Sequence, residues 1–244
     1  MISSSTLFDT ATEVLAVALG NDREILARSS IDAGRSHLEL LLPEIERLMG
    51  SAALAPADLE AIVAGTGPGT FSGLRVGIAT ARALAQTLEV PLTGFSTLEA
   101  VALEASQEVS AGSMLLPVID ARRGQVFSRL YRKEGDGRVQ TESDVLCVEP
   151  ERLRERIATL TGARVLAAGN GAVVYSEILS ASREFDLLPG DHPGNRVNAA
   201  WHLKGADSSG AYDPAGLLTV VPEYVREPDA DKTILLRKRE PWLK

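Results

Sequence analysis

The spacing of apolar positions along this chain switches repeatedly between a period of two and one near 3.6, so strands and helices alternate. A first strand ends at Leu7-Phe8-Asp9, turns through Thr10-Ala11-Thr12, and returns as Val14-Leu15-Ala16-Val17-Ala18-Leu19. The residues before it, Ile2-Ser3-Ser4-Ser5-Thr6, are polar for a core strand, which predicts a strand that is less buried or begins later. Leu38, Leu41, Leu42, Ile45, Leu48 and Met49 then recur at helical spacing. Ser36-His37-Leu38-Glu39 has the form of a capping box, and Pro43 predicts a kink. The run Ala61-Ile62-Val63 leads into Gly65, Gly67, Pro68, Gly69 and Gly73, and a helix rich in small residues runs from Gly73 to Leu88. Ser96-Thr97-Leu98-Glu99 caps another helix.

The second half follows the same plan. Leu116 to Asp120 ends in an aspartate, turns through Ala121-Arg122-Arg123-Gly124 and returns as Val126 to Tyr131. A helix over Glu151–Leu160, a strand over Arg164–Ala168 and a turn at Gly169-Asn170-Gly171 follow, the last leading into another helix. A hairpin with an aspartate, a helix, a strand, a glycine turn and a helix thus occur twice in order. The pattern predicts an α/β protein built as two duplicated lobes.

The glycine-rich segment carries the first chemical question. Glycines let backbone approach a ligand closely, and a helix N-terminus offers unpaired N–H groups to an anion. Gly67, Gly69 and Arg75, in the first turn of the helix, are therefore candidate phosphate contacts. No G-x-x-x-x-G-K-[ST] pattern is present, which excludes a P-loop. The alternatives are a plain strand-to-helix turn for the glycines and a surface role for Arg75. The helix itself has two faces: Leu74, Ile78, Ala81, Ala85 and Leu88 on one, Val76, Ala79 and Ala83 on the other. An apolar second face needs a cover, either the helix ending at Met49 or a second protein.

Composition narrows the classes. With 244 residues, 45% of them hydrophobic, the chain can bury a sizeable core. A net charge of −8 argues against a broad basic face for nucleic acid. The single Cys147 makes no disulfide framework and fits a reducing compartment; with no apolar leader at Met1–Thr10 and no membrane-length run, the expected location is cytoplasmic. His37, His192 and His202 lack ligand spacing, so no metal site is expected. The last residues, Lys232, Arg237, Lys238, Arg239 and Lys244, form a basic tail.

The segments FDTATEVLAVAL, SHLELLLPEIERL, GTGPGTFSGLRVGIATARALA, DARRGQVFSRLY, AGNGA and PEYVREPDA, in this order, resemble the bacterial TsaB (YeaZ) proteins from about Leu7 to about Ala230. The resemblance implies a duplicated actin-like, Hsp70-like fold, with lobe I over 1–108 plus the return of 195–230, lobe II over 109–194, and a tail from 231 to 244. It also implies a non-catalytic subunit that works with TsaD and TsaE in placing threonylcarbamoyl on the adenosine beside the anticodon of tRNAs reading codons that begin with A. TsaD, the transferase, would be its dimer partner, with a homodimer in isolation as the alternative, tRNA met only indirectly and no membrane involved. The docking face is expected on Leu38, Leu41, Leu42, Ile45, Met49, Val76, Ala79 and Ala83. The paired histidines of TsaD-type proteins fall here at Thr97 and Val101, neither of which supplies an imidazole. No cofactor is expected of this chain alone, with ATP or ADP at a partner interface left open. In actin-like ATPases an aspartate at the first hairpin positions Mg²⁺ and water, which makes Asp9 and Thr10 either remnants of that site or organisers of a turn. A stand-alone ATPase or small-molecule kinase and a peptidase are the rival readings.

Overall fold

The structure, a computed structural model, describes residues 4–21, 24–201 and 213–226. Its first sheet contains β1 (Ser4–Asp9), β2 (Val14–Gly20), β3 (Ile25–Asp32), β4 (Leu59–Gly67) and β5 (Leu92–Ser96) in the order β3-β2-β1-β4-β5. The first three run antiparallel, whereas β1, β4 and β5 are parallel. The second sheet is built on β6 (Met114–Asp120), β7 (Val126–Ser128), β8 (Tyr131–Lys133), β9 (Val139–Thr141), β10 (Leu146–Val148), β11 (Val165–Ala168) and β12 (Phe185–Leu187). Its main path, β10-β7-β6-β11-β12, repeats the first: an antiparallel hairpin at its centre, a third antiparallel strand outside it, and two parallel strands on the other side. The duplication read from element order is therefore present in strand order and direction. The β8–β9 hairpin is added beside β6.

The helices follow from the same patterns. Helix α1 (His37–Ser51) and helix α2 (Phe71–Leu88) lie side by side on the first sheet. Leu41, Ile45, Leu48 and Met49 of α1 share a core with Ala81 and Ala85 of α2 and with Phe8, Leu15, Ile62 and Ala64 of the strands beneath. Helix α4 (Pro150–Leu160) buries Leu153 and Ile157 against the second sheet, and the short α5 (Asn170–Val174) and α6 (Ser176–Leu179) follow β11. Helix α3 (Thr97–Ala105) differs from all of these. Leu98, Ala100, Val101, Ala102, Leu103 and Ala105 are all buried in one cluster with Leu7 and Val63 of the first sheet and Leu115, Ile119 and Phe127 of the second. A helix apolar on nearly every side must be covered on every side, and α3 is covered by both lobes.

Local details depart from expectation in three places. Ser36 precedes α1 but makes no side-chain cap, because its backbone (φ −92°, ψ 22°) is not the extended form that aims a hydroxyl into the first turn. Ser96, extended at φ −70° and ψ 128°, does accept from the Glu99 N–H. Helix α1 runs unbroken across Pro43. Strand β1 is buried along its full length despite its polar start, since it is the central strand of its sheet and tertiary position outweighs side-chain preference. The strand expected over Val126–Tyr131 is divided: β7 stops at Ser128, and Tyr131 opens β8.

Tyr131 sits at the lobe junction, 1% exposed, where its hydroxyl makes no well-formed hydrogen bond. Burial pushes the phenol up to about 12, against the pull of the neighbouring Arg129. The folded protein thus keeps a proton that the unfolded chain gives up near pH 10.0, so this contribution to stability is complete below pH 10.0 and is lost as the pH climbs towards about 12. Denaturant titrations on either side of that window check it: Tyr131→Phe is expected to flatten the alkaline decline by about 2–3 kcal/mol.

Candidate functional site

The glycine-rich loop is occupied, and its occupant is the first hairpin turn of the same chain. A Cβ on Gly69 would lie 2.2 Å from the Ala11 carbonyl oxygen, one on Gly73 2.0 Å from the Thr10 carbonyl oxygen, and one on Gly77 2.3 Å from Thr10 Oγ1. On Gly65 it would strike the Asp9 carboxylate at 2.2 Å. Four glycines spaced by four residues therefore form a track on which residues 9–11 rest. Hydrogen bonds lock the contact: Thr70 N–H donates to the Ala11 carbonyl (2.7 Å), and Thr10 Oγ1 donates to the Gly73 carbonyl (2.8 Å). Gly67 turns the chain at φ +98°, a conformation open to glycine.

Asp9 is buried beneath this turn, 1% exposed. One carboxylate oxygen accepts from Ala11 N–H (2.8 Å) and the other from Thr97 Oγ1 (2.7 Å). Asp9 thus organises the hairpin and ties it to the start of α3. Thr97 and Val101, the positions matching the histidine pair of TsaD-type proteins, are buried, the first on Asp9 and the second in the interlobe core. Among the described residues no cluster of three or more His, Cys, Asp or Glu groups is placed to hold a metal.

The cleft between the lobes is bridged by polar side chains. Glu13 accepts from Asn170 Nδ2 at 2.9 Å and from Arg122 at 3.3 Å, joining the two hairpins, while Arg122 also pairs with Asp120 at 3.1 Å. Asp120 receives Arg122 N–H just as Asp9 receives Ala11 N–H, so the aspartates are equivalent in the two lobes. Tyr175 donates to the same carboxylate, and burial, joined by the charge of Asp120, pushes its phenol up. The cavity left between Thr12, Val14, Val101, Ile119, Asn170 and Val197 measures about 10 Å³, room for roughly one water.

Arg75 lies among aromatic side chains. Its guanidinium stacks 3.7 Å over the Phe71 ring, and its Nε donates to the Tyr224 hydroxyl at 3.2 Å. Phe71 and Tyr224 lie 5.4 Å apart. Tyr224 belongs to residues 213–226, which return to the first sheet, burying Leu217 in its core and Val220 beside Gly94. Periodicity gave no signal for this irregular segment. Glu223 within it pairs with Arg129 of the second lobe at 3.8 Å, and burial pushes its carboxyl up.

The expected docking residues divide. Leu41, Ile45 and Met49 are buried in the first-lobe core and offer no surface, because the α1 face they occupy is the one that packs on the sheet and α2. Leu38 (73% exposed), Leu42 (48%), Ala79 and Ala83 face solvent, and Val76 is half-buried. Phe71, 42% exposed, extends this surface at the α2 N-terminus. It was missed because it precedes the glycine that marked the expected helix start. The basic tail from 231 to 244 lies outside the described residues, as does His202.

The repeated sheets with a helix shared between them define a two-lobed protein of the actin-like class. The fold agrees with EutJ of Carboxydothermus hydrogenoformans, at a TM-score of 0.51 and 12% identity over 83% of this chain and 90% of that one. YeaZ from Pseudomonas aeruginosa matches at a TM-score of 0.74 and 25% identity, over 92% of this chain and all of that one. Residues 29–176, more than half of the chain, match the family model of TsaD, tRNA N6-adenosine threonylcarbamoyltransferase. The tRNA threonylcarbamoyladenosine biosynthesis protein TsaB of Escherichia coli is 35% identical over 63% of this chain and 66% of its own length. TsaB of Bacillus subtilis is 32% identical over 51% and 53%. The chain belongs to the TsaB (YeaZ) family. These alignments span about half to two thirds of the curated relatives. No helix among the described residues is long and apolar enough to cross a membrane.

The glycine track makes a paired prediction. Alanine at an open helical glycine stabilises by about 0.5–1 kcal/mol, as expected for Gly50→Ala, where nothing lies within 4 Å. Gly73→Ala, also helical, drives its methyl into the Thr10 carbonyl and is expected to lower stability by about 1–3 kcal/mol in thermal melts.

Proposed function

We propose that this chain is a non-catalytic, partner-binding subunit of tRNA threonylcarbamoylation. It docks on the TsaD transferase through the outer faces of α1 and α2 and holds TsaD in its working arrangement, and the assembled pair seats TsaE. The observation that carries this reading is the exposure of Leu38 and Leu42 on α1 and of Phe71, Ala79 and Ala83 on α2, two adjacent helices. Two helices side by side present the half of a four-helix bundle that a similar pair on a partner completes. Without TsaD, a second copy of this chain covers the same residues.

The interior supports the non-catalytic part. The space that a phosphate needs at the glycine loop is filled by residues 9–11, and the interlobe cavity is far smaller than a nucleotide. The positions matching the transferase's metal ligands carry a hydroxyl and an isopropyl group. On this reading any ATP or ADP in the assembly sits where this chain meets its partner. Contact with tRNA is indirect, in keeping with the net charge of −8.

Size-exclusion chromatography of the chain mixed with TsaD is expected to give a heterodimer. Leu42→Asp places a charge among these exposed residues without touching the core, and is expected to weaken the complex roughly 100-fold or more while leaving the melting temperature nearly unchanged. Threonylcarbamoylation of tRNA reconstituted with TsaC, TsaD and TsaE should require the native chain and fail with the variant. Full modification in its absence would overturn the reading.

A further inference from the structure

The segment 213–226 touches three regions of the molecule. On the first lobe, Arg82 donates to the Val220 carbonyl (2.6 Å) and Glu223 N–H donates to the Thr66 carbonyl (2.8 Å). At the exposed end of α2, Tyr224 closes the cluster with Phe71 and Arg75. On the second lobe, Glu223 pairs with Arg129, and Arg226 donates to Gln125 Oε1 at 2.6 Å. Arg226 also reaches the Arg122 carbonyl at 3.5 Å and lies 5.9 Å from the centre of the Phe127 ring. Three consecutive residues of that hairpin, Arg122, Arg123 and Gly124, are left-handed, at φ 60°, 58° and 72°. A turn that places two arginines in the left-handed region is costly for its length and depends on bonds from outside it.

We propose that this segment is an interlobe strap that couples the exposed Phe71–Arg75–Tyr224 cluster to the stability of the arginine hairpin at 121–128. Tyr224 and Arg226 are two residues apart on one short stretch of chain pinned on both sides, so they move together. Loosening Tyr224 withdraws Arg226 from the Gln125 side chain and the Arg122 carbonyl, and the left-handed turn opens more often. The coupling itself rests only on contacts within this chain. Its consequence, that a protein covering Phe71 and Tyr224 steadies the hairpin next to the Glu13–Arg122 bridge, rests on the docking reading above.

Hydrogen exchange by mass spectrometry on the isolated full chain separates the two. Arg226→Ala removes the strap's grip directly and is expected to raise exchange over 121–128 by roughly five-fold, the weight of about one net hydrogen bond. Tyr224→Ala, whose side chain meets Phe71 and Arg75, is expected to raise it in the same peptides to a comparable extent. Exchange that rises only over 71–75 in Tyr224→Ala would overturn the proposal, whatever Arg226→Ala does. Should Tyr224→Ala fail to melt cooperatively, Arg75→Ala and Tyr224→Phe remove the same hydrogen bond at the surface and carry the same two outcomes. None of these measurements involves TsaD, so a failure here leaves the docking reading untouched, and a failure to bind TsaD leaves the strap untouched.

Discussion

The contact between the first hairpin turn and the glycine track underlies the rest of the molecule. Strand β1 is central to its sheet, and its last residue, Asp9, is the point where sheet, glycine loop and α3 meet. Residues 9–11 can rest there only because Gly65, Gly69, Gly73 and Gly77 present no side chains. That close approach sets the height of α2 above the sheet, and with it the position of α1 beside α2. The outward apolar residues on these helices are placed by an interior packing decision several residues away.

The same contact gives the glycines of a loop with the composition of a phosphate cradle a structural reason to be there. Glycine permits close approach by any backbone, whether a ligand lies there or another strand of the protein. Here the hairpin arrives first, supplies both a donor and an acceptor to the start of α2, and is fixed by a buried carboxylate bonded on both oxygens. Across the cleft, Asp120 keeps the equivalent bond to the N–H two residues on, but is also paired with Arg122 and reached by Tyr175. The two halves of the duplication have diverged in what surrounds a shared turn rather than in the turn itself.

Sequence periodicity located the elements that bury one continuous stripe and failed where burial came from elsewhere. Helices α1, α2 and α4 and the two aspartate hairpins were legible because their patterns are long and regular. The alternating edge strand β3 and the short β5, β8, β9, β10 and β12 were not, since three to eight residues leave little period to detect. The burial of Ser4, Ser5 and Thr6 follows from a strand's place in its sheet, which no local preference encodes. On α1 the apolar positions were identified but not divided: Leu38 and Leu42 are one step from Leu41 and Ile45 in the pattern and on opposite sides of the surface. The role of residues 213–226 rests on contacts with α2 and the second hairpin, residues far away in sequence, and so lay beyond any local reading.

Helix α3 carries one more implication. Two-lobed machines of this general build work by swinging about the cleft, and such a hinge needs an interface that separates at low cost. A rib clad in alanine, valine and leucine and covered by both sheets is the reverse of that, because any swing would bare it to water. The burial of α3 against both sheets therefore favours one arrangement of the two lobes. A surface carried on such a frame would lose little side-chain and loop freedom on being covered, which is one of the costs of association.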